Sequence, residues 1–296
     1  LIKDVSMQDI FIINPKAGKK NATDYIPLIK SALPDAIIRI TEYPLHATEI
    51  AKEYSHLQSP CRIFSLGGDG TLNEVVNGMI DTQNILGVIP CGSGNDFIRY
   101  YTQNFSNILE RTLEGTIIPV DVMKINNLYS LNIISIGFDA EIALSANKFK
   151  NLPFIPSRLA YSISIVYNLL KLHFYEATIE VDGIVYDNKW ILSAFANGRY
   201  YGGGIKPVPE AVNDDNLIDI CMVKETSKLF LIKVLPRYIK GTHQSLKVAT
   251  FVQGKKITIR SKELLPLNID GEISISSSIN IEILPKKLNI LRPMAI

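Results

Sequence analysis

"FSLGGDGTLNEVVNGM", residues 64–79, sets three glycines around one aspartate and follows them with a run of helical spacing. The segment that leads into it, "CRIFSL" (61–66), is apolar and strand-like, so the order is strand, glycine turn, helix. Glycine admits positive φ and lets a ligand or another backbone approach closely. Thr71, with Glu74 three residues on, matches a capping box and places a helix N-terminus directly after the glycines. Backbone N–H groups and the helix dipole make such a turn an anion site. The plainer reading is a tight strand-to-helix turn with a capped helix. Asp69, between Gly68 and Gly70, favours the anion site, because an acid in a phosphate cradle is repulsive unless it meets Mg²⁺ or a phosphate-bound water.

Two more turns repeat the pattern. "NPKAGKKN" (14–21) ends the apolar run "DIFIINP" (9–15) and brings Lys16, Lys19 and Lys20. "PCGSGNDFIRYY" (90–101) ends "ILGVIP" (85–90) and offers Ser93 and Asn95 as donors, with Asp96 and Arg99 next. Strand patterns at 9–15, 36–41, 61–66 and 85–90 alternate with helical ones at 22–33, 47–57, 71–79 and about 95–114. Alternating β and α units with fully apolar strands predict a doubly wound parallel sheet with helices on both faces. Ligands bind beyond the carboxyl ends of such strands, so the three turns should converge there. The spacing is not that of a Walker A loop, the protein-kinase H-R-D and D-F-G motifs are absent, and so is G-x-G-x-x-G.

From about residue 117 the texture changes to short alternating or apolar strands, with turn signals at Asn126-Asn127 and Asp182-Gly183. This predicts an antiparallel β-sandwich-like domain, interrupted by helices near 157–171 and 227–240. On the first of these, Leu159, Ile163, Val166 and Leu170 share one face, read as core packing, or otherwise as acyl-chain or membrane contact. Lys148, Lys150 and Arg158 read equally as a solvated basic stretch or as a lure for anionic lipid. The expected division is an α/β domain over 1–122, a β-sandwich-like domain over 123–288, and a tail, 289–296, that packs back on the first.

Bulk composition sets limits. With 296 residues, 47% hydrophobic and 20% charged, the chain can bury a real core. A net charge of +2 is too weak to argue for nucleic acid. Three widely spaced cysteines (Cys61, Cys91, Cys221) are no disulfide framework, and the four histidines show no zinc spacing. No apolar run approaches the roughly 18 residues needed to span a bilayer. The expected location is therefore cytoplasmic.

"NPKAG", "GGDGTLNEVVNG" and "GSGNDF", with "NGRYYGGGIKPVPEAVNDDNLIDI" and "NIDGE" downstream, resemble the diacylglycerol kinase catalytic family, above all its bacterial soluble lipid-kinase branch. The resemblance covers almost the whole chain. GGDGT alone is shared with NAD kinases; the full set is far more specific. The resemblance implies an NAD-kinase-like nucleotide-binding domain followed by a lipid-substrate domain. It implies ATP and Mg²⁺, with transfer of the γ-phosphoryl group to a lipid hydroxyl, diacylglycerol first, at the inner membrane face. It implies nucleotide contacts at Asn14, Pro15, Lys16, Ala17, Gly18, Thr41, Gly67, Gly68, Asp69, Gly70, Thr71, Leu72, Asn73 and Ser93. Asp69 would sit by the phosphates and metal, with Lys16, Asp96, Arg99 and Asp121 around the cleft. A second Mg²⁺ site falls on Asp215 with the carbonyls of Val212 and Leu217, and the base on Asp270-Gly271-Glu272.

Two departures stand out: Ser93 where the family often has threonine, and Asn216 where glycine is usual. Taken by itself, Asp270-Gly271 is a hairpin turn signal. A lipid hydroxyl needs a proton acceptor within reach, and Asp69 is expected to be engaged elsewhere. The resemblance makes Glu272 the first choice, with Asp270 as its neighbour or substitute. The alternatives are an NAD kinase, a kinase of sphingoid or ceramide-type lipids, or a non-catalytic nucleotide-binding regulator. Oligomeric state is not legible, and a homodimer is compatible with the sequence.

Overall fold

The computed structural model describes residues 7–18, 22–57, 59–150, 152 and 157–295. Lys19 and Lys20, and the side chains of Lys150 and Arg158, lie outside the described parts. The chain divides into two units: Leu1–Val122 with Leu284–Ile296, and Met123–Ile283.

The first unit starts with β1 (Asp9–Ile13), a 3-10 turn at Ala22–Tyr25, α1 (Ile26–Ala32), β2 (Ile37–Ile40), α2 (His46–Ser55), β3 (Arg62–Gly67), α3 (Asp69–Met79) and β4 (Ile85–Pro90). A second 3-10 turn at Ile98–Tyr100, α4 (Ile108–Leu113) and the start of β5 (Thr116–Ile125) follow. β1 lies between β2 and β3, and β3 pairs with β4, all in parallel. β1 and β3 are almost wholly buried, as strands covered on both faces must be. Phe11 of β1 stacks on Phe64 of β3 with ring centroids 4.3 Å apart. Of the helices expected over about 95–114, the short turn and α4 are formed. The Asn95 and Asn107 backbones sit at positive φ, which interrupts any helix that would run through them.

The expected capping box is not formed. α3 starts at Asp69, with Gly68 as its N-cap residue, so Thr71 already lies inside the first turn. Glu74 instead accepts the Ala47 N–H at 3.2 Å, satisfying one of the open donors at the start of α2. The Thr48 hydroxyl donates to the Glu74 carbonyl at 2.8 Å, locking α2 onto α3.

The second unit holds β6 (Leu128–Ser130), β7 (Ile133–Gly137), α5 (Phe138–Lys150), α6 (Ser157–Lys171), β8 (Tyr175–Val181), β9 (Ile184–Ala196), β10 (Ile218–Lys224), α7 (Lys228–Lys240), β11 (Ala249–Gly254), β12 (Lys256–Ile269) and most of β13 (Glu272–Arg292). β9 pairs β8 over its first half and β7 over its second; β12 pairs both in the same way. Those four strands close a ring, and a register shift in β12 between Arg260 and Leu265 lets it bend. Trp190, 1% exposed, belongs to the core of this unit and donates its indole N–H to the Ala177 carbonyl at 2.8 Å. The last residues of β13 pair in parallel with β4 (Asn289 with Ile85, Ile290 with Leu86), so the tail adds a strand to the first unit's sheet. The fold class is therefore an α/β domain followed by an all-β, sandwich- or barrel-like one.

Two features of this unit differ from expectation. α5 was not legible: "LYSLNIISIGF" reads as one strand run, yet Gly137 at φ +89 ends β7 and a helix starts at Phe138. On α6 the buried face is Ala160, Ser164 and Asn168, whereas Leu159, Ile163, Val166 and Leu170 are 46, 37, 59 and 72% exposed. Short side chains let α5 approach: Asn168 Nδ2 donates to the Ser164 carbonyl at 2.8 Å and to Ser145 Oγ at 3.1 Å.

Candidate active site

β1, β3 and β4 run parallel, so the segments after their last residues, Ile13, Gly67 and Pro90, lie side by side at one sheet edge. Their backbones interlock. Asn14 N donates to the Leu66 carbonyl at 2.9 Å, and Cys91 N to the Gly67 carbonyl at 2.8 Å. Thr41 N reaches the Ile13 carbonyl at 2.9 Å, which brings the end of β2 to the same edge. A Cβ on Gly68 would come within 3.3 Å of the Gly92 Cα, and one on Gly18 would strike the Cys91 carbonyl oxygen. Glycine is required because the three loops touch backbone to backbone.

The side chains divide into those spent on the loops and those left toward solvent. Asn14 Nδ2 donates to Thr71 Oγ1 at 3.0 Å while its Oδ1 accepts the Lys16 N–H at 2.9 Å. Thr71 and Leu72 are buried, and the Leu72 N–H donates to the Gly68 carbonyl at 3.1 Å, so neither side chain is open to a ligand. Asn95 closes its own turn, accepting from Gly92 N at 2.9 Å and donating to the Gly92 carbonyl at 2.8 Å. Arg99 Nε donates to the Gly94 carbonyl at 2.7 Å and stands 3.8 Å from Asp96. Lys16, Gly18 and Ser93 are exposed; Pro15, Ala17, Thr41, Gly70 and Asn73 are part-buried.

Asp69 is not the free turn residue that its neighbours in sequence suggest. Its Oδ1 accepts the Asp96 N–H at 2.7 Å, so it ties the second glycine turn to the third. Burial pushes its carboxyl above the ordinary aspartate value, against the backbone N–H groups of Asp96, Phe97 and Asn95, which pull it down. Asp121 is a latch elsewhere in this unit: fully buried, it accepts the Lys286 N–H at 2.7 Å.

In the second unit, Asp270 and Gly271 sit at φ +50 and +101 between paired Ile269 and Glu272, a two-residue hairpin turn. The Asp270 carboxylate faces back into the unit. Its oxygens accept Ser130 Oγ at 2.8 Å and the N–H groups of Leu131, Asn132 and Ile133 at 2.8, 3.1 and 2.9 Å. With four donors on it, Asp270 is a clamp on the 130–133 loop and poorly placed to take a further proton. Glu272, first in β13, is exposed. No sequence signal marked Ser130 as the partner, 140 residues away.

The segment 212–219 forms a tight acidic turn. Asp215 Oδ1 accepts Leu217 N at 3.0 Å, and Asp219 Oδ2 accepts Val212 N at 3.3 Å. Asn216 takes φ +66, a left-handed conformation that asparagine tolerates, so the missing glycine costs little. Burial, followed by weaker effects that include the Asp215 charge, pushes the Asp219 carboxyl up. The segment holds three aspartates, Asp214, Asp215 and Asp219, although no group of three or more His, Cys, Asp or Glu among the described residues is placed to hold a metal ion.

One buried acid had no place in the sequence reading. Asp139, at the start of α5, accepts the Ala140 N–H at 2.9 Å, and burial pushes it up to about 6 against the Ser135 and Tyr201 hydroxyls.

Comparison with known proteins gives the same picture. The family profile "Diacylglycerol kinase catalytic domain" matches residues 9–125, and "YegS C-terminal NAD kinase beta sandwich-like domain" matches 132–292. The chain is 30% identical over 297 residues to a diacylglycerol kinase of Staphylococcus aureus (strain JH9), covering 95% of this chain and 91% of that one. A crystal structure of a diacylglycerol kinase from Bacillus anthracis str. Sterne superposes with a TM-score of 0.74 at 26% identity, covering 96% of each chain. The interlocked glycine turns, the second-unit ring and these matches agree, and the chain belongs to the diacylglycerol kinase catalytic family of lipid kinases.

Proposed function

We propose that the protein transfers the γ-phosphoryl group of ATP to a lipid primary hydroxyl, with diacylglycerol as substrate and phosphatidic acid as product, at the inner membrane face. The observation that carries the reading is the backbone contact of three glycine turns at one sheet edge. Such an edge offers N–H groups to phosphate oxygens at no reorganisation cost. In this reading the 14–18, 67–73 and 91–95 segments hold the nucleotide phosphates, with Lys16 and Ser93 as the exposed polar side chains. Mg²⁺, when bound, neutralises charge on the phosphates. Asp69 would stand beside it among the glycine turns, and Asp215 with the Val212 and Leu217 carbonyls would hold a second, structural cation. Glu272 takes the proton from the lipid hydroxyl, and Asp270 positions the hairpin that carries it. Phosphoryl transfer needs mainly alignment and charge stabilisation, which backbone donors, Lys16 and one exposed carboxylate supply.

No helix among the described residues is long and apolar enough to cross a membrane. In this reading the enzyme meets its lipid at the bilayer surface. The test offers radiolabelled ATP with diacylglycerol, a sphingoid base, ceramide and NAD in parallel. Label in phosphatidic acid alone is expected. Label in NADP alone would replace this reading with NAD kinase, and label nowhere with a non-catalytic nucleotide binder.

A further inference from the structure

Among the described residues, eight of the 22 exposed large hydrophobic side chains belong to α6 and α7: Leu159, Ile163, Val166, Tyr167 and Leu170 on the first, Leu229, Ile232 and Ile239 on the second. Helices of a water-facing surface carry polar residues there instead. α6 buries Ala160, Ser164 and Asn168, while α7, none of whose residues is buried, packs Leu231 and Tyr238 against the core. Ile165 and Leu169 of α6 and Leu231, Val234 and Tyr238 of α7 all line one apolar crevice in the second unit. The two helices therefore lie over the same crevice, and Lys228 Nζ joins them by donating to the Leu170 carbonyl at 2.6 Å. That bond brings the end of α6 to the start of α7, where Leu170 and Leu229 are 72 and 81% exposed.

The two helices themselves carry charge of a single sign. Neither helix contains an Asp or Glu, while Lys171, Lys228, Lys233, Arg237 and Lys240 belong to them. Lysine stems can lie along apolar surface and keep the ammonium in a polar layer. We infer that the outer faces of α6 and α7 form the docking surface of this protein on an anionic lipid bilayer, with Val166, Leu170, Leu229 and Ile232 entering the acyl boundary and the lysines at the headgroups. The inference rests on the lipid-kinase reading only for its purpose, since it names where that enzyme meets its substrate's phase. A second copy of the chain is the rival occupant. Two-fold pairing would bring this basic surface against its own charge, whereas anionic headgroups neutralise it.

The test uses the full chain and vesicles of phosphatidylcholine with or without phosphatidylglycerol. Binding to the anionic vesicles is expected, with weakening by about fivefold for each of Lys228→Ala and Lys233→Ala. The double variant Val166→Asp/Leu229→Asp should lose anionic-vesicle binding by tenfold or more. It should also lose turnover of vesicle-embedded diacylglycerol, yet keep turnover of a water-soluble short-chain diacylglycerol. As a check independent of these charge changes, Leu170→Trp should shift its emission to the blue on vesicle addition, whereas native Trp190 is buried and does not report. A double variant that binds vesicles like the wild type, or an unshifted Leu170→Trp, overturns the proposal. So does a wild-type dimer that the double variant splits without change in vesicle affinity. Vesicle binding through this face without phosphorylation of any lipid would sink the kinase reading and leave the docking surface standing.

Discussion

Asp270 and Glu272 lie two residues apart, yet their surroundings assign them opposite jobs, which a pair of isosteric substitutions separates. Asp270 Oδ1 accepts three donors and Oδ2 one. Asp270→Asn keeps the acceptor at Oδ1 but turns an amide NH₂ on the Leu131 N–H, donor against donor. Asparagine tolerates the φ of +50, so the backbone is not the variable. Hydrogen bonds to a charged group contribute about 1.5–3 kcal/mol each, so losing the charge and one bond should cost roughly 2–4 kcal/mol. Glu272 is exposed, and Glu272→Gln should change stability by less than about 0.5 kcal/mol. Its kcat should fall by a factor on the order of 10²–10⁴, the usual loss on removing a general base, with little change in ATP affinity. Urea unfolding followed by Trp190 emission reads the second unit directly, because that indole lies in its core. Steady-state turnover of diacylglycerol supplies the other axis. The reasoning fails if Glu272→Gln keeps wild-type kcat, or if Asp270→Asn is as stable as the wild type.

Asp69→Asn retains an acceptor for the Asp96 N–H and should fold normally with turnover abolished; Asp69→Ala should in addition lower stability by about 1–2 kcal/mol, read by thermal melts. Wild-type turnover in Asp69→Asn would show that the charge is not needed. Asp139 gives stability a pH-dependent component: the folded state keeps its proton up to about 6 and the unfolded state releases it near 3.8, so the Asp139 contribution is most favourable below 3.8 and falls as pH rises to 6. That component amounts to roughly 3 kcal/mol and should vanish in Asp139→Asn, so equal pH slopes in urea titrations of the two proteins between pH 4 and 7 would contradict it. Asp215→Ala should lower activity and shrink the Mg²⁺-dependent rise in Tm together, and an undiminished Mg²⁺ shift would remove the assignment.

How much of this was legible follows from whether the signal was local. The strands ending at Ile13, Gly67 and Pro90 read directly from apolar runs punctuated by glycine and proline, and their convergence follows from parallel topology alone. The capping box failed because Thr71 and Glu74 have the right spacing but other partners, Asn14 and Ala47, which lie 57 and 27 residues away. The core-packing reading of the α6 face failed because periodicity locates an apolar stripe without saying what covers it; Ser164 and Asn168 take the buried side by bonding backbone and Ser145. α5 was hidden by an apolar run that crosses Gly137. The role of Asp270 depends on Ser130 and the loop after it, a contact that no local pattern encodes.

Backbone amide hydrogen exchange on the full chain, with and without ATP and Mg²⁺, tests the claim that the three glycine turns hold the nucleotide. The account predicts new protection in peptides spanning 14–18, 67–73 and 91–95, where the loops already touch backbone to backbone. Protection confined to other segments, or none at nucleotide concentrations that support turnover, would contradict it.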